Sequence, residues 1–202
     1  MAQKRVAILI SGRGSNMVAL IKAAKAKNYP AEIVLVLSNR PEAQGLELAK
    51  AEGIPTVIVD HKTFSSREEF DAAIQRELKA AKIELVCLAG FMRVLTDDFV
   101  DRWKGRMLNI HPSLLPAFKG TDTHRHALLA GVKTHGATVH FVVPELDSGP
   151  IVMQAEVPVQ SGDTEAKLAA RVLKVEHKIY PAALKMLAAG KIRIEGDRVV
   201  AI

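Results

Sequence analysis

Apolar residues recur with two periods along this chain. Short β-branched runs at Val6 to Ile10, Ile33 to Leu37, Thr56 to Val59 and Glu84 to Leu88 are separated by amphipathic stretches of helical spacing. Strands alternating with helices build an open sheet whose crossovers cover it. The expected fold is therefore α/β, an open, mostly parallel twisted sheet with helices on both faces, Rossmann-like in plan. Met107-Leu108-Asn109-Ile110 resumes the strand pattern and stops at His111-Pro112. Later, Ala137 to Val143 and Ile151 to Val159 alternate as strands around the turn-rich Pro144 to Pro150, which predicts antiparallel strands late in the chain.

Punctuation residues set the helix boundaries. Ser65 or Ser66, each three residues before a glutamate (Glu68, Glu69), opens a helix that ends near Lys82. Thr96-Asp97-Asp98 opens a short helix closed by Gly105. Helical periodicity runs from about Thr164 to Ala189 and meets Pro181, which is expected to kink or split it. Ile192 to Ile202, around Glu195-Gly196-Asp197, reads as a small hairpin. With no internal repeat and no low-complexity linker, residues 1–202 are read as a single domain.

Composition narrows the partners. A chain of 202 residues, 49% of them hydrophobic, buries a full core without staples. The net charge of +6 favours anionic partners. The cations nevertheless form no run of five or more and aromatics are 4%, which argues against a nucleic-acid surface. Met1 to Val6 leads straight into a strand without charged leader, apolar stretch and cleavage site, so the expectation is a cytoplasmic protein with no membrane partner. The single cysteine, Cys87, sits in the apolar run Leu85-Val86-Cys87-Leu88 and reads as a buried, inert thiol.

Two segments carry candidate chemistry. Ser11-Gly12-Arg13-Gly14-Ser15-Asn16 follows a strand and opens a helix, where free N–H groups and the positive end of the helix dipole converge on one spot. A phosphate suits that spot; equally, the glycines turn a tight corner and Ser15 or Asn16 caps the helix. The third small residue of a dinucleotide fingerprint is missing, since Met17 and Val18 occupy its neighbourhood, and no Gly-Lys-Ser/Thr follows, so a monophosphate fits better than a dinucleotide or a nucleoside triphosphate.

The second segment is Asn109-Ile110-His111. Residues two apart on a strand share a face, so Asn109 and His111 project together at the carboxyl end, where open α/β sheets bind ligands. Acyl transfer to an amine needs an oxyanion stabilised and a proton moved, which an amide donor and an imidazole supply. Asp147, in a Gly/Pro-bounded turn, is the candidate to orient the imidazole. The competing reading is a structural histidine before a proline and an ordinary turn. His124, His126 and His140 raise the question of a metal, but no H-E-x-x-H, paired cysteine or carboxylate cluster accompanies them, and no metal is expected.

Four motifs, Ile10 to Asn16, Leu88-Ala89-Gly90-Phe91-Met92-Arg93, Leu108-Asn109-Ile110-His111-Pro112-Ser113-Leu114-Leu115-Pro116 and Glu145-Leu146-Asp147-Ser148-Gly149-Pro150, resemble the phosphoribosylglycinamide formyltransferases in order and spacing over nearly the whole chain. Thr121 to Leu128 and His135 to Val142 are similar to the same family. That resemblance implies a formyltransferase fold and transfer of a formyl group from 10-formyltetrahydrofolate, as co-substrate, to the amine of glycinamide ribonucleotide in purine biosynthesis. It further implies that Asn109 binds the formyl oxygen, His111 is the general acid and Asp147 tunes His111. Gly14, Ser15 and Asn16 would receive the ribonucleotide phosphate, and Glu176 would contact the same substrate, unless it is only a solvated helix residue. Arg67 would reach the acidic portion of the folate, the backbone of Met92, Arg93, Val94 and Leu95 would bind its pterin, and Arg106 would lie in the same neighbourhood or be a plain surface cation.

Three rivals share parts of this pattern. A formyltetrahydrofolate deformylase uses water as acceptor and carries an extra N-terminal domain, for which the first ten residues leave no room. Methionyl-tRNA formyltransferase continues into a C-terminal RNA-binding domain. A non-catalytic mononucleotide-binding module would keep the glycine loop and dispense with turnover.

Overall fold

In a computed structural model, which describes residues 3–202, the strands assemble in the order β3-β2-β1-β4-β5-β6-β7. The chain runs β1 (Lys4–Ile10), α1 (Ser15–Ala24), β2 (Ala31–Ser38), α2 (Gln44–Ala51), β3 (Thr56–Ile58), α3 (Arg67–Ala80), β4 (Leu85–Leu88), α4 (Asp97–Arg102), β5 (Met107–His111), α5 (Thr123–Leu129), β6 (Thr134–Phe141), β7 (Ile151–Pro158) and α6 (Glu165–Ala188). Neighbouring strands from β3 to β5 pair in parallel, and β6 and β7 add antiparallel. A separate antiparallel pair, β8 (Ile192–Glu195) and β9 (Arg198–Ala201), turns at Gly196, which holds φ 63.

The near-continuous apolar runs of the parallel strands follow from cover on both faces. On β1, Val6, Ile8 and Ile10 face Leu20 of α1, Leu46 of α2 and Val172, Tyr180 and Leu184 of α6, whereas Ala7 and Leu9 face Phe70, Ile74 and Leu78 of α3 and Phe99 of α4. Alternate side chains of one strand thus belong to two cores. Cys87 is fully buried in the first, and burial pushes its thiol up to about 12, as an inert cysteine requires.

The structure selects between helix starts that the sequence left open and shifts other boundaries. Ser66 caps α3, its hydroxyl accepting from Glu69 N, while Glu69 reaches back to Ser65, so the capping pair is Ser66 with Glu69. Strand β6 begins at Thr134 and ends at Phe141, three residues earlier at its start and two at its end than the alternation suggested. Pro181 does not split α6, which is one helix of 24 residues. The flanking Ile179, Tyr180, Ala183 and Leu184 are buried against the sheet, and the Pro181 carbonyl accepts from Tyr29 Oη at 2.7 Å. Packing outweighs the lost backbone bond.

Gly149 lets the turn after β6 close onto the strand. A Cβ there would overlap the Phe141 carbonyl oxygen, a backbone atom that cannot step aside. Gly149→Ala is expected to cost about 2–3 kcal/mol and to lower Tm by roughly 4–10 °C, measured by thermal unfolding.

Candidate active site

Strands β2 and β3 lie on one side of β1 while β4 to β7 lie on the other. The chain therefore reverses direction across the sheet between β1 and β4, and the loops leaving their carboxyl ends splay apart into a crevice. The segments following β1 and β4 hold the glycine loop and the Met92 to Leu95 strip, and β5 itself ends in the Asn-x-His pair.

At the end of β5 the structure brings Asn109, His111 and Asp147 together and adds His140. Asp147 Oδ2 stands 3.5 Å from His111 Nδ1, and Asp147 Oδ1 stands 3.8 Å from His140 Nε2. The aspartate holds φ 49, a left-handed conformation that Asp tolerates better than most residues, and Oδ2 also accepts from Gly120 N at 2.8 Å. His111 is 4% exposed and its Nε2 lies 2.8 Å from the Phe118 carbonyl. Both ring nitrogens of His111 therefore face oxygen acceptors.

His140 was a metal candidate by residue type; its position assigns it elsewhere. It sits opposite Asn109 in the β5–β6 ladder, beside a register shift between Val139 and His140. Its Nδ1–H donates to the Phe141 carbonyl at 2.9 Å, which leaves the Nε2 lone pair to accept from Asn109 Nδ2 at 3.2 Å. Burial lowers the His140 pKa, in keeping with that neutral tautomer. The tautomer in turn dictates which way the Asn109 amide faces and leaves its second N–H, which has no partner among the described residues, open to a ligand. Cross-strand register was the missing signal, since only antiparallel pairing sets His140 beside Asn109.

The glycine loop is shaped for an anion. Gly14 is the N-cap of α1 at φ 75 with no side-chain cap, so neither Ser15 nor Asn16 caps the helix. Its first bond is Val18 N to Gly14 O, which leaves the N–H groups of Ser15, Asn16 and Met17 without partners among the described residues. Helix α2 braces the loop: Gly45 N donates to Gly12 O at 3.0 Å, and a Cβ on Gly14 would come within 2.9 Å of Gly45 Cα. Glu176 is not a solvated helix residue. It is 6% exposed, accepts from Asn16 Nδ2 at 2.7 Å, and has its pKa raised by burial against the opposing effect of that bond.

Across the crevice, Met92 and Val94 expose apolar side chains and Leu95 is buried. The N–H groups of Arg93, Val94 and Leu95 have no partner among the described residues, whereas Met92 N donates inward to Ser11 Oγ at 2.7 Å. Met92 therefore offers its side chain, and its backbone donor is already taken. Arg67, exposed at the start of α3, lines an open cleft of about 530 Å³ with Thr96, Asp97 and Arg102, beyond the far end of the strip. Arg106 is not in this neighbourhood. It lies before the amino end of β5 and stacks 4.7 Å over Trp103.

Among the described residues no three histidine, cysteine or carboxylate side chains converge in a metal-like cluster. His124 Nδ1 instead meets His135 Nε2 at 3.2 Å, and burial, with help from His124 and His111, lowers the His135 pKa to about 4. The pKa values of His124 and His140 are also lowered, mainly by burial. In the unfolded chain each would take up its proton near the ordinary 6.5; the folded chain resists, so below that pH the unfolded state binds more protons. Stability is expected to hold above about pH 6.5 and to fall as pH drops toward 4, a Tm profile that His135→Gln should flatten.

The formyl transferase family model matches residues 4–184. The phosphoribosylglycinamide formyltransferase of Escherichia coli is 45% identical over 94% of this chain and 89% of its own length. The trifunctional purine biosynthetic protein adenosine-3 of Gallus gallus is 51% identical over 94% of this chain, which spans only 19% of that longer protein. Among solved structures, glycinamide ribonucleotide transformylase 1 from Symbiobacterium toebii superposes with a TM-score of 0.96 at 44% identity, covering 99% of this chain and 94% of that one. The corresponding figures for the formyltransferase from Brucella melitensis are 0.89, 54%, 93% and 97%. No described helix is long and apolar enough to cross a membrane. Identity of this extent over nearly the full length of both chains, on the same fold, means that this chain belongs to the phosphoribosylglycinamide formyltransferase family.

Proposed function

We propose that the protein transfers the formyl group of 10-formyltetrahydrofolate to the amine of glycinamide ribonucleotide, giving formylglycinamide ribonucleotide and tetrahydrofolate. The observation that carries this reading is the Asn109–His140 and His111–Asp147 cluster at the carboxyl end of β5, on the same sheet edge as the glycine loop after β1 and, after β4, a strip of backbone N–H groups without partners among the described residues. In this reading the phosphate rests on the N–H groups of Gly14, Ser15 and Asn16, and Glu176 with Asn16 meets the ribonucleotide. The pterin lies along Arg93, Val94 and Leu95 against the Met92 side chain, with Arg67 toward the carboxylates of the folate.

The substrate amine attacks the formyl carbon, and the carbonyl oxygen becomes an oxyanion facing the free N–H of Asn109. His111, oriented by Asp147, supplies the proton that the departing folate nitrogen needs as its bond to the formyl carbon breaks; the amine loses its own proton to water or to the same imidazole. No covalent enzyme intermediate is required. Residues 1–202 act as one domain in this reading, with small-molecule partners in the cytoplasm, where such metabolites occur.

The geometry alone would also serve water as the acceptor; relatives named as formyltransferases favour the amine. Incubating the protein with 10-formyltetrahydrofolate, with and without glycinamide ribonucleotide, separates the two. Formylated ribonucleotide formed in step with tetrahydrofolate supports the transferase. Deformylation that ignores the ribonucleotide means a hydrolase, and binding without turnover means a sensor.

A further inference from the structure

The strip proposed to hold the pterin is slung between two anchors supplied by other elements. At its near end Ser11, 5% exposed, takes hold twice: its N–H donates to Gly90 O at 3.1 Å, and its hydroxyl oxygen accepts from Met92 N at 2.7 Å. Because Met92 N is a fixed donor, the single hydroxyl proton of Ser11 must go elsewhere, and it goes to Oδ1 of the fully buried Asn39. At its far end Asp71, 3% exposed, accepts through Oδ2 from both Thr96 N, at 2.6 Å, and Thr96 Oγ1, at 2.8 Å. Between Met92 and Thr96 the N–H groups of Arg93, Val94 and Leu95 have no partner among the described residues. Gly90, at φ 74, turns the chain into this span.

From this arrangement we infer that Ser11 and Asp71 are positioning residues for the folate-binding strip, Ser11 through Met92 and Asp71 through Thr96. Neither is required to touch a substrate. A three-residue backbone edge recognises a flat heterocycle only if its donors are held in line, and tethering both ends lowers the ordering cost of binding. Ser11 is also the first residue of the glycine loop, so the same side chain ties the strip to the loop that faces it.

The inference rests on the folate reading of the strip, and the test keeps the two apart. In wild type, Ser11→Ala, Asp71→Ala and Asp71→Asn, steady-state KM for each substrate, kcat and Tm are measured, with tetrahydrofolate affinity by calorimetry alongside. Ser11→Ala leaves Met92 N and Asn39 Oδ1 without partners, and a rise of about tenfold in KM for the formyl donor is expected. Asp71→Ala should do the same, and Asp71→Asn, which keeps an acceptor oxygen, should recover most of the loss. KM for the ribonucleotide and kcat should stay within about threefold in both Asp71 variants, whose tether is remote from the glycine loop. Donor KM unchanged in both alanine variants, or both KM values rising together with a fall in Tm in Asp71→Ala, would overturn the inference. A wild-type protein that does not bind tetrahydrofolate would instead defeat the functional reading beneath it.

Discussion

His111→Ala is expected to lower kcat by roughly 10²–10⁴-fold while KM for both substrates stays within a few-fold. The ring is 4% exposed and held at both nitrogens, by Asp147 Oδ2 at 3.5 Å and the Phe118 carbonyl at 2.8 Å. A group so fixed contributes little to binding and much to the timing of a proton. It pairs with its aspartate at a distance longer than a good hydrogen bond, a looseness common before substrate is bound. Single-turnover kinetics with a thermal melt as control would decide the matter. A loss below about tenfold would mean that water carries the proton and that His111 serves the local fold.

Asn109→Ala should cost roughly 10²–10³-fold in kcat, the scale of removing one oxyanion donor. His140 fixes the orientation of this amide. With its Nδ1–H given to Phe141 O, the imidazole can only accept from Asn109, so the amide nitrogen is locked toward it and the remaining N–H is presented without a search over rotamers. Asn109→Asp, nearly the same shape, should be no better than alanine. Its carboxylate would set an oxygen against the His140 lone pair and a negative charge beside the developing oxyanion. If kcat/KM and kcat fall by the same factor, the contact is made in the transition state; a rise in KM alone would assign Asn109 to ground-state binding.

Much of this architecture is written locally. The parallel strands are legible because burial on both faces makes them continuous apolar runs, and the helices because one apolar stripe repeats along them. The Asn109 and His111 pair is equally local, since strand geometry sets residues two apart on one face. Its assignment to formyl transfer came from the resemblance carried by its flanking motifs. At Pro181 the local rule allows a kink or a split, and a buried face keeps α6 one helix.

The sequence by itself determined the alternation of elements, the glycine loop and the Asn-x-His pair, because each depends on contacts between near neighbours in the chain. Tertiary structure alone decided that His140 serves Asn109, that Glu176 reaches Asn16 from 160 positions away, that Arg106 stacks on Trp103 far from the site, and that Ser11 and Asp71 anchor the strip. Those pairings are set by strand order, by ladder register and by which helix covers which face. Chain periodicity carries the faces of single elements, but it does not carry which elements meet.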